Sequence, residues 1–160
     1  AAMLIYIWIR FEWQFSLGAI AALVHDVLIT VGIFSFLSYE VNLSIIAAVL
    51  TIVGYSMNDT VVIFDRIREN LKKYSSSNII DTSNLSINQT LSRTLITSVT
   101  TLLALLSIYI FGGAILKGFS FAMIIGVIIG TYSSIFVATP ILNYMNVSSK
   151  TILKEDNESD

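Results

Sequence analysis

Cysteine is absent from the 160-residue sequence, and histidine and proline each occur once, as His25 and Pro140. Without cysteine there are no disulfide frameworks and no thiolate metal sites, and a single histidine argues against a histidine-based metal site. Charge is scarce too, since 12% of the residues are Asp, Glu, Lys or Arg, about half the fraction in an ordinary soluble domain. That is too little polar surface to cover a water-facing globule.

Several functional classes are also missing their signatures. The net charge of −2 gives no field that would attract nucleic acid. The sequence contains no glycine-rich phosphate loop and no plausible arrangement of serine and histidine for nucleophilic catalysis. We therefore expect neither a nucleic-acid-binding protein nor an enzyme, and we expect no bound cofactor or metal ion.

Long apolar segments dominate what is present, with 55% hydrophobic residues and a mean hydropathy of +0.79. Their lengths suit helices that cross a hydrocarbon core of about 30 Å, whereas the strands of a membrane barrel alternate over about 10 residues. The sequence predicts an all-α fold, a polytopic transmembrane helix bundle. We expect spanning helices at about 16–37, 43–64, 94–111 and 118–145.

The two ends of the sequence differ from these spans. The apolar run over residues 1–9 is too short to span and is followed, not preceded, by Arg10, whereas a signal peptide carries its positive charge ahead of the apolar run. We expect it to be the end of a helix that begins upstream. The transmembrane domain then covers 1–146, and the charged tail over 147–160 is expected to be disordered.

The basic residues test this layout. If every span crosses, the loops near 10–15 and 65–93 and the tail share one side, and the loops at 38–42 and 112–117 lie on the other. Only Lys117 is on the second side. The first side holds the other eight basic residues, Arg10, Arg66, Arg68, Lys72, Lys73, Arg93, Lys150 and Lys154. By the positive-inside rule, the first side is predicted to be cytoplasmic.

Small residues recur every four positions along the last span. They are Gly118, Ala122, Gly126, Gly130, Ser134 and Ala138. Because lipid gives helices no hydrophobic reason to associate, small residues that allow close backbone approach are typical of helix interfaces in membranes. The stripe indicates a packing face. The alternative is a sliding surface in a helix that moves, with a kink at Pro140.

The other three spans carry polar stripes that lipid would penalise, and we predict that they form one polar seam inside the bundle. The stripes are Gly18, Ala22, Asp26 and Thr30; Ala47, Thr51, Tyr55 and Asp59, with Gly54 and Asn58 beside them; and Arg93, Thr97, Thr100, Thr101 and Ala104.

Two carboxylates lie inside predicted spans, where acidic residues commonly mark ion or proton pathways. Asp59 is the stronger candidate for a proton relay, because Asn58, Tyr55 and Thr60 supply hydrogen-bonding groups nearby. Arg93, at the cytoplasmic start of the next span, is long enough to reach it. The alternative is a structural carboxylate satisfied by neighbouring hydroxyls.

Besides Asn58 and Tyr55, three further residues are possible members of the relay. His25 and Asp26 are adjacent near the middle of the first complete span, and histidine is the side chain that most often changes charge near neutral pH. Thr97 shares the face of Arg93. The alternative for the His25–Asp26 pair is a hydrogen-bonded contact that only holds two helices together.

The run over residues 54–70, GYSMNDTVVIFDRIREN, closely resembles the signature of the SecF family of bacterial protein-export membrane subunits. Shorter stretches agree with this family as well. They are residues 6–12, His25-Asp26, residues 89–95, residues 111–113 and residues 130–134. The resemblance covers nearly the whole chain apart from the tail.

The resemblance implies a SecF-like membrane domain of the RND superfamily, in a protein with six spans and a large periplasmic domain between the first two. It implies a multi-pass protein of the bacterial inner membrane that works with SecD and a SecYEG-type channel on a translocating polypeptide. The proton-motive force would drive this work, with protons as the coupling ion. The family's important aspartate and arginine correspond to Asp59 and Arg93. The alternatives are a scaffold subunit without its own proton pathway, and an RND-type exporter of small molecules.

Overall fold

The structure is a computed structural model that describes residues 13–38, 42–74, 78–145 and 147. Every regular element within these ranges is helical, and the predicted all-α fold is confirmed. The elements are α1 (Trp13–Phe36), α2 (Leu43–Lys73), α3 (Ile79–Phe111), α4 (Gly113–Ser133), a π-helical segment (Ser134–Ala138) and α5 (Thr139–Tyr144). The helix expected over 1–9 and the tail from residue 148 lie outside the described residues.

Four stretches are long and apolar enough to cross a membrane: Trp13–Phe36, Leu43–Lys73, Ile79–Phe111 and Gly113–Tyr144. They contain the four predicted spans, apart from one residue at the end of the first and one at the end of the last. The two middle helices are longer than predicted. With 31 and 33 residues, they measure about 46–50 Å at a rise of 1.5 Å per residue. A hydrocarbon core of about 30 Å leaves the polar ends of both helices outside it.

The region expected to be a loop, 65–93, is therefore mostly helical, with a short connection between Lys73 and Ile79. Its serine, asparagine and glutamine side chains bond across the two helix ends. Asn70 Nδ2 donates to Ser86 Oγ at 2.8 Å and to Gln89 Oε1 at 2.9 Å. The composition of this region resembles that of a loop, but its polar side chains form hydrogen bonds with one another across a helical hairpin.

The small-residue stripe of α4 packs against α2, which confirms its reading as a packing face. The two helices run in parallel, and Ile52, Ser56 and Thr60 lie opposite Gly126, Gly130 and Ser134. A Cβ at Gly126 would overlap the Ile52 side chain, and one at Gly130 would lie 3.1 Å from Ser56 Cβ. Two glycines thus set how closely α2 and α4 approach.

A π-helical segment interrupts the last span just before Pro140, the second residue of α5. Proline has no N–H and cannot complete the hydrogen bond to the carbonyl four residues earlier. The helix accommodates this with a wider turn, in which Thr139 Oγ1 donates to Ser134 O at 3.2 Å. Such π-turns are rare and often occur at functional sites.

The buried side chains form two apolar clusters separated along the bundle axis. One cluster contains Phe15, Ala19, Ala22, Met57, Ile63, Phe64, Ile67, Leu71, Ile79, Ala138, Leu142 and Val147. The other contains Phe34, Ile45, Ala48, Ile52, Leu105, Ala122, Met123 and Val127. Polar residues of α1, α2 and the last span lie between them, and this polar layer holds the candidate site.

Candidate functional site

Asp26 is the centre of the polar layer and has no exposed surface. Its Oδ2 accepts hydrogen bonds from Ser56 Oγ on α2 and from Ser133 Oγ on α4, the latter at 2.7 Å. Its Oδ1 lies 3.0 Å from His25 Nδ1. One carboxylate therefore links three helices.

The sequence of α1 explains why Asp26 points inward. Gly18, Ala22, Asp26 and Thr30, the stripe predicted to face the seam, are all buried. Thr30 Oγ1 donates to the backbone carbonyl of Asp26 at 2.8 Å, so its hydroxyl is satisfied within the helix. His25 points partly outward, with 31% of its side chain exposed.

The polar layer continues beside Asp26 through two further hydroxyl pairs. Thr60 Oγ1 lies 3.0 Å from Ser134 Oγ, joining α2 to the first residue of the π-helical segment. Ser98 Oγ on α3 lies 2.7 Å from Thr131 Oγ1 on α4. Each pair crosses a helix interface, so hydrogen bonds as well as small residues hold α4 to its neighbours.

Asp59 is also buried, at 4% exposure, but its environment differs from that of Asp26. Within the described ranges, Asp59 Oδ2 has no hydrogen-bond partner, and neither has the hydroxyl of Tyr55 one turn earlier on the same helix. Buried polar atoms without a partner are rare and call for an explanation. Residues four apart share a helix face, so the two unsatisfied groups lie on one side of α2.

Arg93 is the cation whose charge acts on Asp59. The Arg93 side chain is exposed, and no direct ion pair joins it to Asp59 in the described structure. Thr97 does not bridge them, because its hydroxyl donates to the Arg93 and Thr94 carbonyls of its own helix, at 3.0 Å each. The structure thus places the predicted aspartate and arginine within electrostatic reach of each other, without direct contact.

The predicted polar seam is wrong for most residues of two of its three stripes. On α2, Asp59 of the predicted stripe is buried, but Ala47, Thr51 and Asn58 are exposed. Most of the buried face of α2 lies one residue further along, at Ala48, Ile52, Ser56 and Thr60. On α3, Arg93, Thr100 and Ala104 are exposed, and the buried residues include Thr90, Thr94, Ser98 and Leu105.

The threonine side chains explain why these stripes need no burial. Thr51 Oγ1 donates to Ala47 O and Thr100 Oγ1 to Ile96 O, both at 2.8 Å. A hydroxyl that bonds the carbonyl of the preceding turn is already satisfied. Helical periodicity showed which polar residues share a face, but not which face meets another helix.

Two functional residues were missed by the sequence analysis. Ser56 and Ser133, the donors to Asp26, entered it only as letters within longer motifs. A signal for Ser133 exists, because it directly precedes Ser134 of the small-residue stripe and follows Gly130 by three residues. Ser56 has no comparable signal, since it lies outside the α2 stripe that the spacing predicted.

The titratable side chains of the polar layer define the chemistry to be considered for this site. In the described part of the chain, no three His, Cys, Asp or Glu side chains are grouped so that they could hold a metal ion. The titratable groups inside the bundle are Asp26, with His25 beside it, Asp59, and Tyr55, whose hydroxyl is buried. A polytopic helix bundle with carboxylates buried at mid-span belongs to the class of membrane proteins that commonly handle ions or protons.

Comparison with known proteins identifies the family within this class. Residues 1–148 match the family model described as "Protein export membrane protein SecD/SecF, C-terminal". The chain belongs to the SecD/SecF family of protein-export membrane proteins, as its sequence motifs indicated.

Individual relatives agree with the family model. A protein translocase subunit SecF of Rhodothermus marinus is 61% identical over 144 residues, which cover 86% of this chain and 47% of that protein. A subunit of the same name from Cereibacter sphaeroides is 54% identical over 147 residues, covering 92% of this chain and 45% of that protein. The chain thus spans about half the length of the curated relatives it matches.

The fold agrees as well. The crystal structure of SecDF from Thermus thermophilus, described as a translocon-associated membrane protein, superposes with a TM-score of 0.85 at 46% identity. The match covers 89% of this chain and 20% of the SecDF chain. The helix bundle is therefore the SecDF-type membrane fold.

Proposed function

We propose that this chain is the membrane half of a SecF-type subunit of the bacterial protein translocase. The subunit would use the proton-motive force, together with SecD, to assist late translocation of polypeptides across the inner membrane. The observation that carries this proposal is Asp59, a buried carboxylate in a membrane span with one oxygen unpartnered in the described structure and with Arg93 within reach.

The proton acts through the charge of Asp59. As a carboxylate it is attracted to Arg93, and Arg93 can approach because its long side chain is exposed. Binding of a proton at Asp59 removes that attraction and leaves Arg93 free to turn to other acceptors. The ends of α2 and α3 then repack, and release of the proton on the other side of the membrane reverses the change. Protons are the coupling ion, and no cofactor is required.

The exposed polar face of α2 and α3 supports a protein partner inside the membrane. Asn58 and Arg93 are exposed within stretches able to span a membrane, and lipid-facing amide and guanidinium groups are costly. The related crystal structures are of SecDF. We propose that SecD covers this face and supplies polar groups to Asn58 and Arg93. The SecYEG-type channel and its polypeptide would be reached through the assembled complex.

The charge distribution supports the orientation. The hairpin end of α2 carries Arg66, Arg68, Lys72 and Lys73, whereas the connection between α3 and α4 is followed by Lys117 alone. By the positive-inside rule this distribution supports a cytoplasmic hairpin, in what we propose is a multi-pass protein of the bacterial inner membrane.

The experiment is proton-dependent export in membranes that carry the full-length protein, with Asp59→Asn compared with wild type. Asp81→Asn is the matched control, because Asp81 is an exposed carboxylate in the first turn of α3, outside the polar layer. We expect Asp59→Asn to assemble normally and lose proton-dependent export, and Asp81→Asn to retain it. Normal export in Asp59→Asn would overturn the proposal and favour the scaffold subunit.

A further inference from the structure

The hydrogen bonds around Asp26 fit one of the two forms of a carboxyl group better than the other. Ser56 and Ser133 both donate to the same oxygen, Oδ2, and both serines are at most 1% exposed. An ionised carboxylate only accepts hydrogen bonds, and its two oxygens have room for several donors. The observed arrangement suits ionised Asp26, because every neighbouring polar hydrogen then has an acceptor.

A proton on Asp26 would weaken this arrangement. His25 faces Oδ1, so a proton delivered there leaves Oδ2 as the carbonyl oxygen of a neutral acid, and a neutral oxygen accepts hydrogen bonds less strongly than a charged carboxylate oxygen. Ser133 has an alternative, because its Oγ also lies 3.2 Å from Gly130 O in its own helix. A protonated Asp26 would thus turn Ser133 back onto α4 and release one of the links between α1 and α4.

We propose that Asp26 is a second proton-binding site of this protein, and that its charge controls the packing of α4 against α1 and α2. The proposal extends the proton-coupled function proposed above, although Asp26 can be tested separately from Asp59. The step is a proton transfer alone, in which one H⁺ converts the carboxylate to the carboxylic acid and is later released. No oxidant, reductant or other reactant is involved.

His25 provides the route by which a proton reaches the buried carboxylate. The His25 side chain is 31% exposed, and its ring nitrogen Nδ1 lies 3.0 Å from Asp26 Oδ1. The ring can accept a proton on its outer nitrogen and deliver one from Nδ1, because imidazole carries hydrogens on either nitrogen. Asp26 can thus exchange protons through the exposed side of His25, which the assembled complex must keep in contact with water or a polar group, since lipid supplies no protons.

Few other charges act on this position within the described structure. From α2 the nearest titratable groups in sequence to Ser56 are Tyr55 and Asp59, and α4 offers only Lys117 near its start and the exposed Tyr132. The titratable group of α5, Tyr144, is 93% exposed near the chain's last described residues. We therefore attribute a pH response of the polar layer to the His25–Asp26 pair. Asp59, one turn beyond Ser56 on α2, is the nearest other carboxylate in sequence.

Asp26 is coupled to helix movement by the contacts that fix the position of α4 along α2. Ser56 and Ser133 bind Asp26, and the next contact along the same interface, Thr60 to Ser134, enters the π-helical segment. A π-turn can convert to a regular turn by shifting one residue, so this segment can absorb a change of register. Loss of the Asp26 links therefore allows α4 to shift against α2 without breaking the span.

The test uses cysteine pairs in the full-length protein within its native membrane complex. This chain contains no cysteine, so within these 160 residues the introduced cysteines are the only thiols. The reporter pair is Thr60→Cys with Ser134→Cys, across the α2–α4 interface. The control pair is Asn70→Cys with Ser86→Cys, across the helical hairpin, where any movement driven by Asp59 should be the same with Asp26 and with Asp26→Asn. Each pair is made with Asp26 and with Asp26→Asn, since asparagine keeps the shape and removes the charge.

When Asp26 is present, we expect the oxidative cross-linking yield of the reporter pair to change more with pH than the yield of the control pair. In Asp26→Asn the two pairs should show the same pH dependence. We also expect Asp26→Asn to assemble and to lose proton-dependent export. The same pH profile for the reporter pair with and without Asp26→Asn would overturn the proposal, as would normal export in Asp26→Asn.

These outcomes are independent of Asp59. If Asp59→Asn abolishes export while Asp26→Asn exports normally, the proposed function stands and the second proton site is refuted. If Asp59→Asn exports normally while the reporter pair loses its pH dependence in Asp26→Asn, the function fails and the Asp26 switch stands. Assembly of each variant is checked by co-purification of the complex.

Discussion

Asp26 and Ser133 lie 107 positions apart in the sequence, yet Ser133 Oγ donates a 2.7 Å hydrogen bond to Asp26 Oδ2. The contact joins the first and last described spans at a level between two apolar clusters. Because both residues are fully buried, neither can replace this bond with water. The polar layer is consequently sensitive to the loss of a single hydroxyl.

Ser133→Ala should destabilise the protein by about 1–3 kcal/mol, the cost of leaving a buried acceptor with fewer donors. The matched control is Ser107→Ala on α3, because the Ser107 hydroxyl is exposed and bonds only Leu103 O of its own helix. That change should stay within about 0.5 kcal/mol. Unfolding of the detergent-solubilised protein gives both values, and equal losses would contradict the role given to Ser133.

The two buried carboxylates should respond oppositely to neutralisation. Asp26→Asn weakens charge-assisted bonds to two hydroxyls and should lower stability by about 1–3 kcal/mol. Asp59→Asn removes a buried charge whose Oδ2 has no partner in the described structure, and it should raise the stability of the subunit without SecD. The unfolding midpoints of the two variants, measured against wild type near neutral pH, test this. Shifts of the same sign would contradict the different environments given to Asp26 and Asp59.

Glycine positions in the spans should differ in tolerance. Gly126→Ala places a Cβ against Ile52 and should cost about 1–3 kcal/mol through overpacking. Gly54→Ala is the control, because no atom lies within 4 Å of the added Cβ. There alanine should be neutral or stabilise the helix by up to about 1 kcal/mol. Thermal unfolding compares the two, and Ile52→Ala should relieve the Gly126→Ala defect.

The helical hairpin should depend on Asn70, which is 3% exposed and donates to Ser86 and Gln89. Asn70→Ala removes both bonds and leaves Ser86 Oγ without this donor, although Gln89 Oε1 still accepts from Arg66 Nε. The change should cost about 1–3 kcal/mol locally. Asn84→Ala is the matched control, because Asn84 is exposed on α3. We expect limited proteolysis near the connection between α2 and α3 to become faster in Asn70→Ala only. Unchanged cleavage would show that the helix ends hold together by other means.

Composition and charge order were enough to predict the helix bundle and the number of described spans, whereas the family was indicated by the resemblance of residues 54–70 and the shorter motifs. The bundle and its spans follow from local physics, because a run of about 20 apolar residues must cross as a helix wherever its neighbours lie. The lengths of α2 and α3 were underestimated for a related reason. Polar residues such as Asn70 and Gln89 look loop-like until the partner helix that satisfies them is known.

For the candidate site, too, some features could be predicted from the sequence and others required the tertiary structure. The sequence alone determined that Asp26 and Asp59 lie within spans, that α1 presents Asp26 on a small-residue face, and that Arg93 belongs to the next helix. Tertiary structure decided that Asp26 has bonded partners while Asp59 Oδ2 has none in the described part of the chain, and that the Arg93 face turns outward. Periodicity fixes a residue's angle around its own helix, but only packing fixes what lies opposite. For Asp26, that includes a serine 107 residues away.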